Sequence, residues 1–509
     1  MIKNIYLETY GCSANQNNSE LIAGILVRNG FNIVDNEQIA DLIILNTCVV
    51  KDPTIKKIEE RIKIIVKQNK PLIIAGCMPE VFEKKLKKIA PKSPLVSTHH
   101  VKDILIAVRK LSESKATYFL GNQQEIKVGI SKISKNKTIS IVQICQGCIN
   151  ECSYCLVKKV KGALFSYPED KILKEIEGSL QAGAKEIWLT SQDNACYNYD
   201  TVSPSLSVSK LGSQRCAISS EALNQQTEDF THNQTHTDVS GRNNADFESR
   251  SYSKNFETLK ENKTHNSEHL TETQKKSKTS DNRISLLPQL VNKISSLNHK
   301  FFLRIGMMNP SSVLPILSNL VDAYKSDKVF KFLHLPLQSG SDKILKLMNR
   351  KYKIEDALKI IGRFKKEFPE GVIATDIIVG FPGETNEDFQ ETLNIIEKIR
   401  PDVLNHSRFW AMKGTEAAKM KNEISKQELK EREVELMKLH AKIALENKQK
   451  LIAKEYKVIV DDKGFKDTWL ARNENYQLII IRSQENLLGK FLKVKIKEAK
   501  AHYLIGEVI

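Results

Sequence analysis

The 509-residue sequence contains no apolar run long enough to cross a membrane. A membrane-spanning helix needs about 18 or more consecutive apolar residues, and every apolar stretch in this chain is shorter. The opening residues, MIKNIYLETYGC, read as a strand that leads into a cysteine, not as a basic region followed by a long apolar one. We therefore expect no membrane partner and no secretory signal, and the expected location is the cytoplasm.

Acidic residues are scarce relative to basic ones. The 61 Asp and Glu residues fall short of the 78 Lys and Arg residues, which leaves a formal net charge of +17. An excess of this size predicts a polyanionic partner, and nucleic acid is the commonest one. The alternative is a biased amino-acid usage, because Lys, Asn and Ile are all abundant in this chain.

The sequence also lacks the cysteine pattern of a secreted, disulfide-stabilised protein. Its nine cysteines are an odd number, and no secretory signal is expected. In a reducing compartment, clustered cysteines more often bind metal or take part in chemistry. The positions are Cys12, Cys48, Cys77, Cys145, Cys148, Cys152, Cys155, Cys196 and Cys216.

Residues 1–115 alternate short apolar strands with helical segments, which predicts a small parallel α/β domain. Each predicted strand ends at or just before one of three cysteines, Cys12, Cys48 and Cys77. Because the carboxyl ends of parallel strands share one edge of the sheet, we expect these thiols to meet in space. The alternative is that each is a small buried residue. The predicted strands cover 2–9, 42–46 and 72–75, separated by helices over 19–29 and 54–68.

A second alternating region, expected over 135–418, predicts an open or complete β/α barrel. The pattern fails over 200–283, where Ser, Thr, Asn, Gln and His replace the apolar periodicity, so we expect a disordered insertion there. The insertion holds Cys216 and four histidines, whose irregular spacing favours an accidental polar tract over a metal site. The predicted strands cover 140–144, 186–190, 301–306, 332–335, 372–379 and 403–409.

The last part of the chain changes to a period of two. After an amphipathic helix expected over 425–451, residues 452–509 predict a small β-barrel. Within 490–500, apolar residues alternate with lysines, which predicts one buried face and one basic face. Small barrels of this kind often hold RNA; the alternative is a lysine face that only aids solubility.

The most specific motif is QGCINECSYC at 146–155. Here Cys148, Cys152 and Cys155 follow the spacing Cys-x3-Cys-x2-Cys and bring three thiolates into one loop after a strand. A [4Fe–4S] cluster has four irons, so three thiolates leave one iron open to chelate S-adenosylmethionine, which the cluster can then cleave to a radical. Cys145 adds a fourth thiol, and a four-cysteine zinc site is the alternative.

Taken together, these motifs resemble one family, the radical S-adenosylmethionine methylthiotransferases. Residues 1–115 resemble the family's amino-terminal domain, 146–155 its radical core, and the tail from about 453 a TRAM domain. The resemblance covers the whole chain except 200–283, with the motifs in the family's order. The motifs are TYGC at 9–12, NTCVVK at 46–51, AGCMP at 75–79, WLTSQD at 188–193, RIGMMNP at 304–310, HLPLQSGS at 334–341 and DIIVGFPGE at 376–384.

The resemblance implies two [4Fe–4S] clusters and two uses of S-adenosylmethionine. One molecule supplies a methyl group, and a second supplies the radical that takes hydrogen from C2 of an adenosine, where the methylthio group is inserted. The implied catalytic cluster ligands are Cys148, Cys152 and Cys155 for the radical-generating cluster (the radical triplet) and Cys12, Cys48 and Cys77 for an auxiliary cluster that carries the sulfur (the auxiliary triplet). The implied contacts to S-adenosylmethionine are Gln338, Ser339, Gly380, Gly383 and Glu384.

The motifs also resemble one branch of the family, the archaeal and eukaryotic one. That branch implies N6-threonylcarbamoyladenosine at position 37 of tRNA as the substrate, with an electron donor and a sulfur source as further partners and no DNA. Isopentenyladenosine in tRNA and a ribosomal protein are the alternative substrates. Outside enzymes, the alternative is a basic RNA-binding protein with a structural zinc site.

The chain departs from the family pattern at several positions. Cys145 stands where a small residue that binds no metal is usual. The family tends to have Thr-Lys-x-Ala-Arg-Gly and then Arg-Ser after its third cysteine, whereas this chain has VKKVKG at 157–162 and Phe165 in place of the second arginine. Lysine keeps the charge but lacks the planar fork with which arginine contacts anions. The usual Arg-Pro-Gly-Thr reads MKGT at 412–415.

Overall fold

The structure, a computed structural model, describes residues 2–113, 116–200 and 284–509. The insertion predicted over 200–283, with Cys216, lies outside the described residues except for Asp200. On its two described sides, Ser285 and Leu286 both donate hydrogen bonds to the carbonyl of Tyr197, at 3.0 and 3.2 Å.

Within these residues, no helix has the length and apolar character that a membrane crossing requires.

The amino-terminal region is built on one parallel sheet of six strands. The strands are β1 (Asn4–Thr9), β2 (Asn32–Val34), β3 (Leu42–Thr47), β4 (Leu72–Gly76), β5 (Leu95–Ser97) and β6 (Tyr118–Phe119). Their order across the sheet is β2-β1-β3-β4-β5-β6. Both β3 and β4 are buried along their whole length, which explains why they read as continuous apolar runs. Since β6 belongs to this sheet, the region extends past residue 115.

Helices cover both faces of this sheet. Alternate side chains of β3 separate two cores: Ile43 and Leu45 pack with the second and third helices, whereas Leu42 and Ile44 pack with the first and fourth. This arrangement confirms the predicted α/β domain. The helices are α1 (Ser13–Arg28), α2 (Asp52–Lys67), α3 (Met78–Ile89) and α4 (Ile104–Ser112).

Helix α1 begins six residues before the predicted start at 19. Its first turns, SANQNN, carry no apolar pattern, so periodicity did not reveal them. The asparagines are nevertheless buried: Asn15, Asn17 and Asn18 are each at most 2% exposed. Asn15 donates to the backbone carbonyls of Tyr10 and Thr47 near the strand ends, and Asn18 donates to the hydroxyl of Thr98.

The central region contains six parallel strands in two sets of three. The first set runs in the order β11 (Phe302–Ile305), β10 (Glu186–Thr190), β7 (Ile139–Gln143), and the second in the order β12 (Phe332–His334), β13 (Val372–Val379), β14 (Val403–Arg408). An isolated bridge from Leu303 of β11 to Val329, which precedes β12, lies between the two sets. This arrangement confirms the predicted partial β/α barrel. A separate antiparallel pair is formed by the short strands β8 (Cys145–Gln146) and β9 (Phe165–Ser166).

The helices of the central region pack with its strands into one large core. The exception is the short helix that follows the radical triplet, whose Val160 packs in the amino-terminal core with Cys48 and Cys77 instead. The helices are α5 (Val157–Lys161), α6 (Glu169–Gln181), α7 (Leu287–Ser295), α8 (Pro310–Val313), α9 (Leu317–Ala323), α10 (Asp342–Leu347), α11 (Ile354–Glu367) and α12 (Asn386–Ile399).

A long helix, α13 (Lys426–Gln449), leads into a closed five-stranded barrel, as predicted. Val494 and Ile496 point inward and are at most 1% exposed. The lysines that alternate with them point outward, but Lys493 forms an ion pair with Glu455 at 2.6 Å, so part of the basic face is neutralised. The strands are β15 (Glu455–Lys463), β16 (Thr468–Asn473), β17 (Leu478–Arg482), β18 (Phe491–Ala499) and β19 (Leu504–Val508).

One aromatic cluster attaches this small barrel to the central one. The guanidinium of Arg304, on β11, lies over the rings of Trp188, Phe332 and Tyr476 at 4.9, 5.0 and 5.1 Å. Tyr476 comes from the turn between β16 and β17 and also packs on Phe330 at 4.8 Å. Cation–π contacts of a poorly solvated arginine are among the stronger ones.

We expect the Tyr476→Ala variant to lose about 3 kcal/mol of stability, because truncating a packed aromatic ring leaves a cavity between the two barrels. The thermal melting temperature should fall by several degrees. Phe465→Ala is the matched control, since that ring lies on the same barrel and is 81% exposed. Equal melting temperatures for the two variants would contradict this attachment.

Candidate functional site

The auxiliary triplet lies at the carboxyl ends of three neighbouring strands. Cys48 and Cys77 directly follow β3 and β4, and Cys12 follows β1 by three residues. The register pairs Thr47 with Gly76, and the amide of Cys77 donates to the Thr47 carbonyl at 3.0 Å. The structure therefore brings these cysteines to one edge of the sheet, as the parallel arrangement predicts.

Gly11 allows the loop of Cys12 to approach Cys48 closely. Its φ is +107°, a conformation that other residues rarely adopt. A Cβ atom at this position would lie 2.9 Å from the sulfur of Cys48. The absence of a side chain at Gly11 therefore lets the first two cysteines of the triplet lie side by side.

The thiols of the auxiliary triplet influence one another electrostatically. Burial raises the pKa of Cys48 to about 11, and the neighbouring thiols of Cys77 and Cys12 add to the rise. Burial also raises the pKa of Cys77, with Cys12 adding to the rise and the nearby Lys161 opposing it. A bound metal inverts this balance, because a coordinating thiol loses its proton to the metal charge.

A polar network centred on Asn15 supports the triplet. Its side-chain amide donates to the carbonyls of Tyr10 and Thr47, at 3.0 and 2.8 Å. Its side-chain oxygen accepts from the thiol of Cys77 at 3.5 Å and from the ammonium of Lys161 at 3.4 Å. Asn15 thus connects strand ends, a cysteine and a lysine from the central region.

The radical triplet lies in one loop after β7. Backbone amides donate to two of its sulfurs: that of Asn150 to Cys148 and that of Val157 to Cys155, each at 3.4 Å. Burial raises the pKa of Cys148 and of Cys155, and the neighbouring thiol of Cys152 adds to the rise at both, whereas the hydrogen bonds from Asn150 and Val157 oppose it.

A cation from a distant part of the chain completes this environment. Arg350 follows α10 and donates from its guanidinium to the sulfur of Cys152 at 3.4 Å and to the carbonyl of Pro336 at 3.0 Å. Three thiols in one loop, each with a donor on its sulfur, match the ligands and hydrogen bonds of an iron–sulfur cluster. The residues at this site therefore fit such a group.

The four-cysteine zinc alternative does not fit the structure. Cys145 is fully buried in the core of the central region, whereas the three loop cysteines are partly exposed. Across residues 2–113, 116–200 and 284–509, no three His, Cys, Asp or Glu side chains converge closely enough to hold a single metal ion. A four-iron cluster places its thiolates on different irons, so it does not require that convergence.

The residues expected to contact S-adenosylmethionine lie on two neighbouring loops. Gln338 lies in the loop after β12, and its backbone amide donates a hydrogen bond to the Asp376 carbonyl at 2.7 Å. Ser339, the next residue, is buried. Gly380 and Gly383 lie in the turn after β13. Both loops sit at the carboxyl ends of barrel strands, where ligands of this fold bind. The contacts themselves stay a prediction.

Glu384 already has partners within the protein. Its carboxylate accepts from the amide of Gly380 at 2.7 Å and pairs with Arg432 of α13 at 3.0 Å. Burial raises the pKa of Glu384 to about 7, against the lowering effect of these two partners. In this structure Glu384 thus ties α13 to the turn, and its role toward the cofactor stays a prediction.

The sequence did not reveal a row of hydrogen-bonded polar side chains that spans three neighbouring barrel strands. The ring of His334 on β12 lies 3.2 Å from both carboxylate oxygens of Asp376 on β13. Asn405 on β14 donates to the same carboxylate at 2.7 Å. His334 and Asp376 belong to quoted motifs, but only the register of neighbouring strands reveals that they touch.

Residues 156–161, which we call the linking segment, join the two triplets. The segment begins directly after Cys155, and its buried Leu156 and Val160 belong to the same hydrophobic core as Cys48 and Cys77. It ends at Lys161, which is 5% exposed and bonded to Asn15. The two triplets are therefore connected by a short, packed piece of chain.

Three family models match separate parts of the chain. Uncharacterized protein family UPF0004 matches residues 4–97, the Radical SAM superfamily matches residues 281–396 and the TRAM domain matches residues 449–509. They follow the order of the amino-terminal sheet, the central barrel and the carboxy-terminal barrel.

Curated proteins match the chain over its entire length. The protein from Pyrococcus horikoshii is 31% identical over 100% of both chains, and that from Methanocaldococcus jannaschii is 32% identical over 99% of this chain and 97% of its own. Both are named "Probable threonylcarbamoyladenosine tRNA methylthiotransferase". The human threonylcarbamoyladenosine tRNA methylthiotransferase is 28% identical over 100% of this chain and 74% of its own.

Among solved structures, the chain is similar to the radical S-adenosylmethionine methyltransferase TsrM from Kitasatospora setae. The TM-score is 0.48 at 12% identity, over 80% of this chain and 73% of that one.

Gly11→Ala should empty the auxiliary site, because the new methyl group would press on Cys48 in a conformation that alanine avoids. After anaerobic reconstitution we expect iron per chain to fall by roughly half, the share of one of two four-iron clusters. Gly30→Ala is the control: it has a φ of +83°, but its Cβ would meet nothing within 4 Å. Full iron in both variants would contradict this role of Gly11.

Proposed function

The chain belongs to the threonylcarbamoyladenosine tRNA methylthiotransferase family, and from that premise we propose that it converts N6-threonylcarbamoyladenosine at position 37 of tRNA to its 2-methylthio derivative. The family predicted from the motifs is thereby confirmed. The protein is a radical S-adenosylmethionine enzyme with an amino-terminal α/β domain, a partial barrel and a TRAM barrel. The alternatives of a ribosomal protein or isopentenyladenosine as substrate find no support among these relatives.

One observation carries the proposal: two separate sets of three cysteines are linked by one packed segment. A methylthio transfer needs one site that generates a radical and one that delivers sulfur. Each set offers three thiols, which leaves one iron of a four-iron cluster open for a small molecule. The linking segment, residues 156–161, connects the two sites through a shared hydrophobic core.

The enzyme uses two [4Fe–4S] clusters and S-adenosylmethionine. When bound, these groups supply the radical that takes hydrogen from C2 of the adenosine and the sulfur and methyl group that replace it. We assign one cluster to the radical triplet and the other to the auxiliary triplet. Asn150, Val157 and Arg350 then hold the sulfurs of the radical triplet and favour the thiolate form through their hydrogen bonds.

The remaining partners follow from the same proposal. Reductive cleavage of S-adenosylmethionine needs an electron donor, and each turnover needs a sulfur source, so we propose that separate molecules supply both. We also propose that the reaction takes place in the cytoplasm, where a tRNA substrate is available. The net charge of +17 supports an RNA partner, because basic side chains bind phosphates regardless of sequence.

Mass spectrometry of tRNA nucleosides from cells with and without the gene tests the proposed function. Cells without the gene should lack the 2-methylthio-threonylcarbamoyladenosine peak and accumulate the unmethylthiolated nucleoside. An unchanged peak would contradict the proposal. If the methylthio-isopentenyladenosine peak is lost instead, the enzyme acts on isopentenyladenosine and the proposed substrate is wrong.

Replacing each triplet by alanine should separate the two roles. The variant lacking Cys148, Cys152 and Cys155 should form neither 5′-deoxyadenosine nor methylthiolated product, because it has no radical source. The variant lacking the auxiliary triplet should still form 5′-deoxyadenosine but at most about one-hundredth of the product, since its sulfur site is gone. Chromatography of both products after incubation with reductant, S-adenosylmethionine and tRNA measures this. Normal product from either variant would exclude that triplet from the reaction.

The TRAM barrel is expected to contact the phosphates of the tRNA. Lys457 on β15 is exposed and lies opposite Lys493 in the sheet. Lys457→Ala should weaken tRNA binding and make the slope of log affinity against log salt shallower by about one, the contribution of one phosphate contact. Lys63→Ala is the control, because that lysine lies on α2 and pairs with Glu60 at 2.6 Å. Identical slopes for both variants and the unaltered protein would contradict this contact.

A further inference from the structure

Lys161 lies between the two cysteine triplets. It is the last residue of α5, in the central region, yet its ammonium donates to the hydroxyl of Thr98 at 2.6 Å and to the side-chain oxygen of Asn15 at 3.4 Å. The same oxygen of Asn15 accepts from the thiol of Cys77 at 3.5 Å. The ammonium of Lys161 and the thiol of Cys77 thus donate hydrogen bonds to the same oxygen atom of Asn15.

The charge of Lys161 is buried without a carboxylate partner. The side chain is 5% exposed, and in the parts of the chain that the structure describes no Asp or Glu oxygen pairs with its ammonium. A second buried lysine, Lys127, donates to the carbonyl of Thr98 at 2.5 Å, so the two lysines share one threonine. Burying an unpaired charge is costly, and a further anion nearby would offset the cost.

The auxiliary triplet can supply this anion, because it lies beside Lys161 and carries negative charge once it binds iron. When Cys12, Cys48 and Cys77 bind iron they are thiolates, and a cluster with three thiolates is more negative after it accepts an electron. A neighbouring cation stabilises the reduced form more than the oxidised form, which raises the reduction potential. The hydrogen bonds favour Lys161 over Lys127 for this role. Lys161 donates to the Asn15 oxygen that also accepts from Cys77, whereas Lys127 donates to Asn18, Thr98 and Gln146.

We propose that Lys161 is a positioning residue that raises the reduction potential of the auxiliary cluster by placing a buried positive charge beside Cys77. The proposal rests on the assignment of the auxiliary triplet made under the proposed function. Lys161 stands six residues after Cys155. The charge beside the auxiliary triplet therefore depends on the position of the loop that carries the radical triplet.

The test uses the full-length chain with Cys148, Cys152 and Cys155 replaced by alanine, so that only the auxiliary cluster contributes. Dithionite titration followed by electron paramagnetic resonance gives its midpoint potential. In this background, Lys161→Met should lower the ratio of reduced to oxidised cluster at a fixed potential by about tenfold, a shift of 59 mV for one electron. Lys161→Arg, which keeps the charge, should shift the potential by less than a third of that.

Lys158→Met is the matched control, since Lys158 lies on the same helix, is solvent-exposed and pairs with Glu151 at 2.6 Å. Its potential should equal that of the background protein. If Lys161→Met prevents cluster assembly, Lys161→Gln, which retains a polar contact to Thr98, takes its place. An unchanged potential, or an equal shift with Lys161→Arg, overturns the role of the charge. A background protein that binds no iron overturns the assignment of the triplet instead.

Discussion

The arrangement of the functional site depends on how the linking segment, residues 156–161, packs against the amino-terminal core. Leu156 and Val160 are buried in the hydrophobic core that also contains Cys48 and Cys77. The segment starts directly after Cys155, so this packing holds the loop of the radical triplet beside the edge of the amino-terminal sheet. Apolar burial alone does not fix the orientation of the linking segment, because it is not directional. The hydrogen bonds of Lys161 to Thr98 and Asn15 fix that orientation.

The auxiliary triplet depends on a property of parallel strands, that their carboxyl ends share one edge. The auxiliary triplet takes one cysteine from the end of each of three neighbouring strands, whereas the radical triplet takes three from one loop. Cys12 and Cys77 also directly precede α1 and α3. The amino-terminal end of a helix favours negative charge, so these positions suit thiolates that bind iron.

The fold was largely predictable from the sequence because its strands are short apolar runs that end at recognisable motifs. The strands β3, β4, β10 and β13 fall within one residue of their predicted limits. The start of α1 was not predictable, since its buried asparagines imitate a surface loop. The contacts of Arg350 with Cys152 and of Lys161 with Asn15 join residues more than a hundred positions apart, which no local pattern encodes.

The central claim is that the two triplets each hold a four-iron cluster. Anomalous X-ray diffraction at the iron edge, from crystals of anaerobically reconstituted protein, tests it most directly. The account predicts two iron sites, one bonded to Cys12, Cys48 and Cys77 and the other bonded to the radical triplet. A single iron site, or zinc bonded to Cys145 together with the radical triplet, would contradict it.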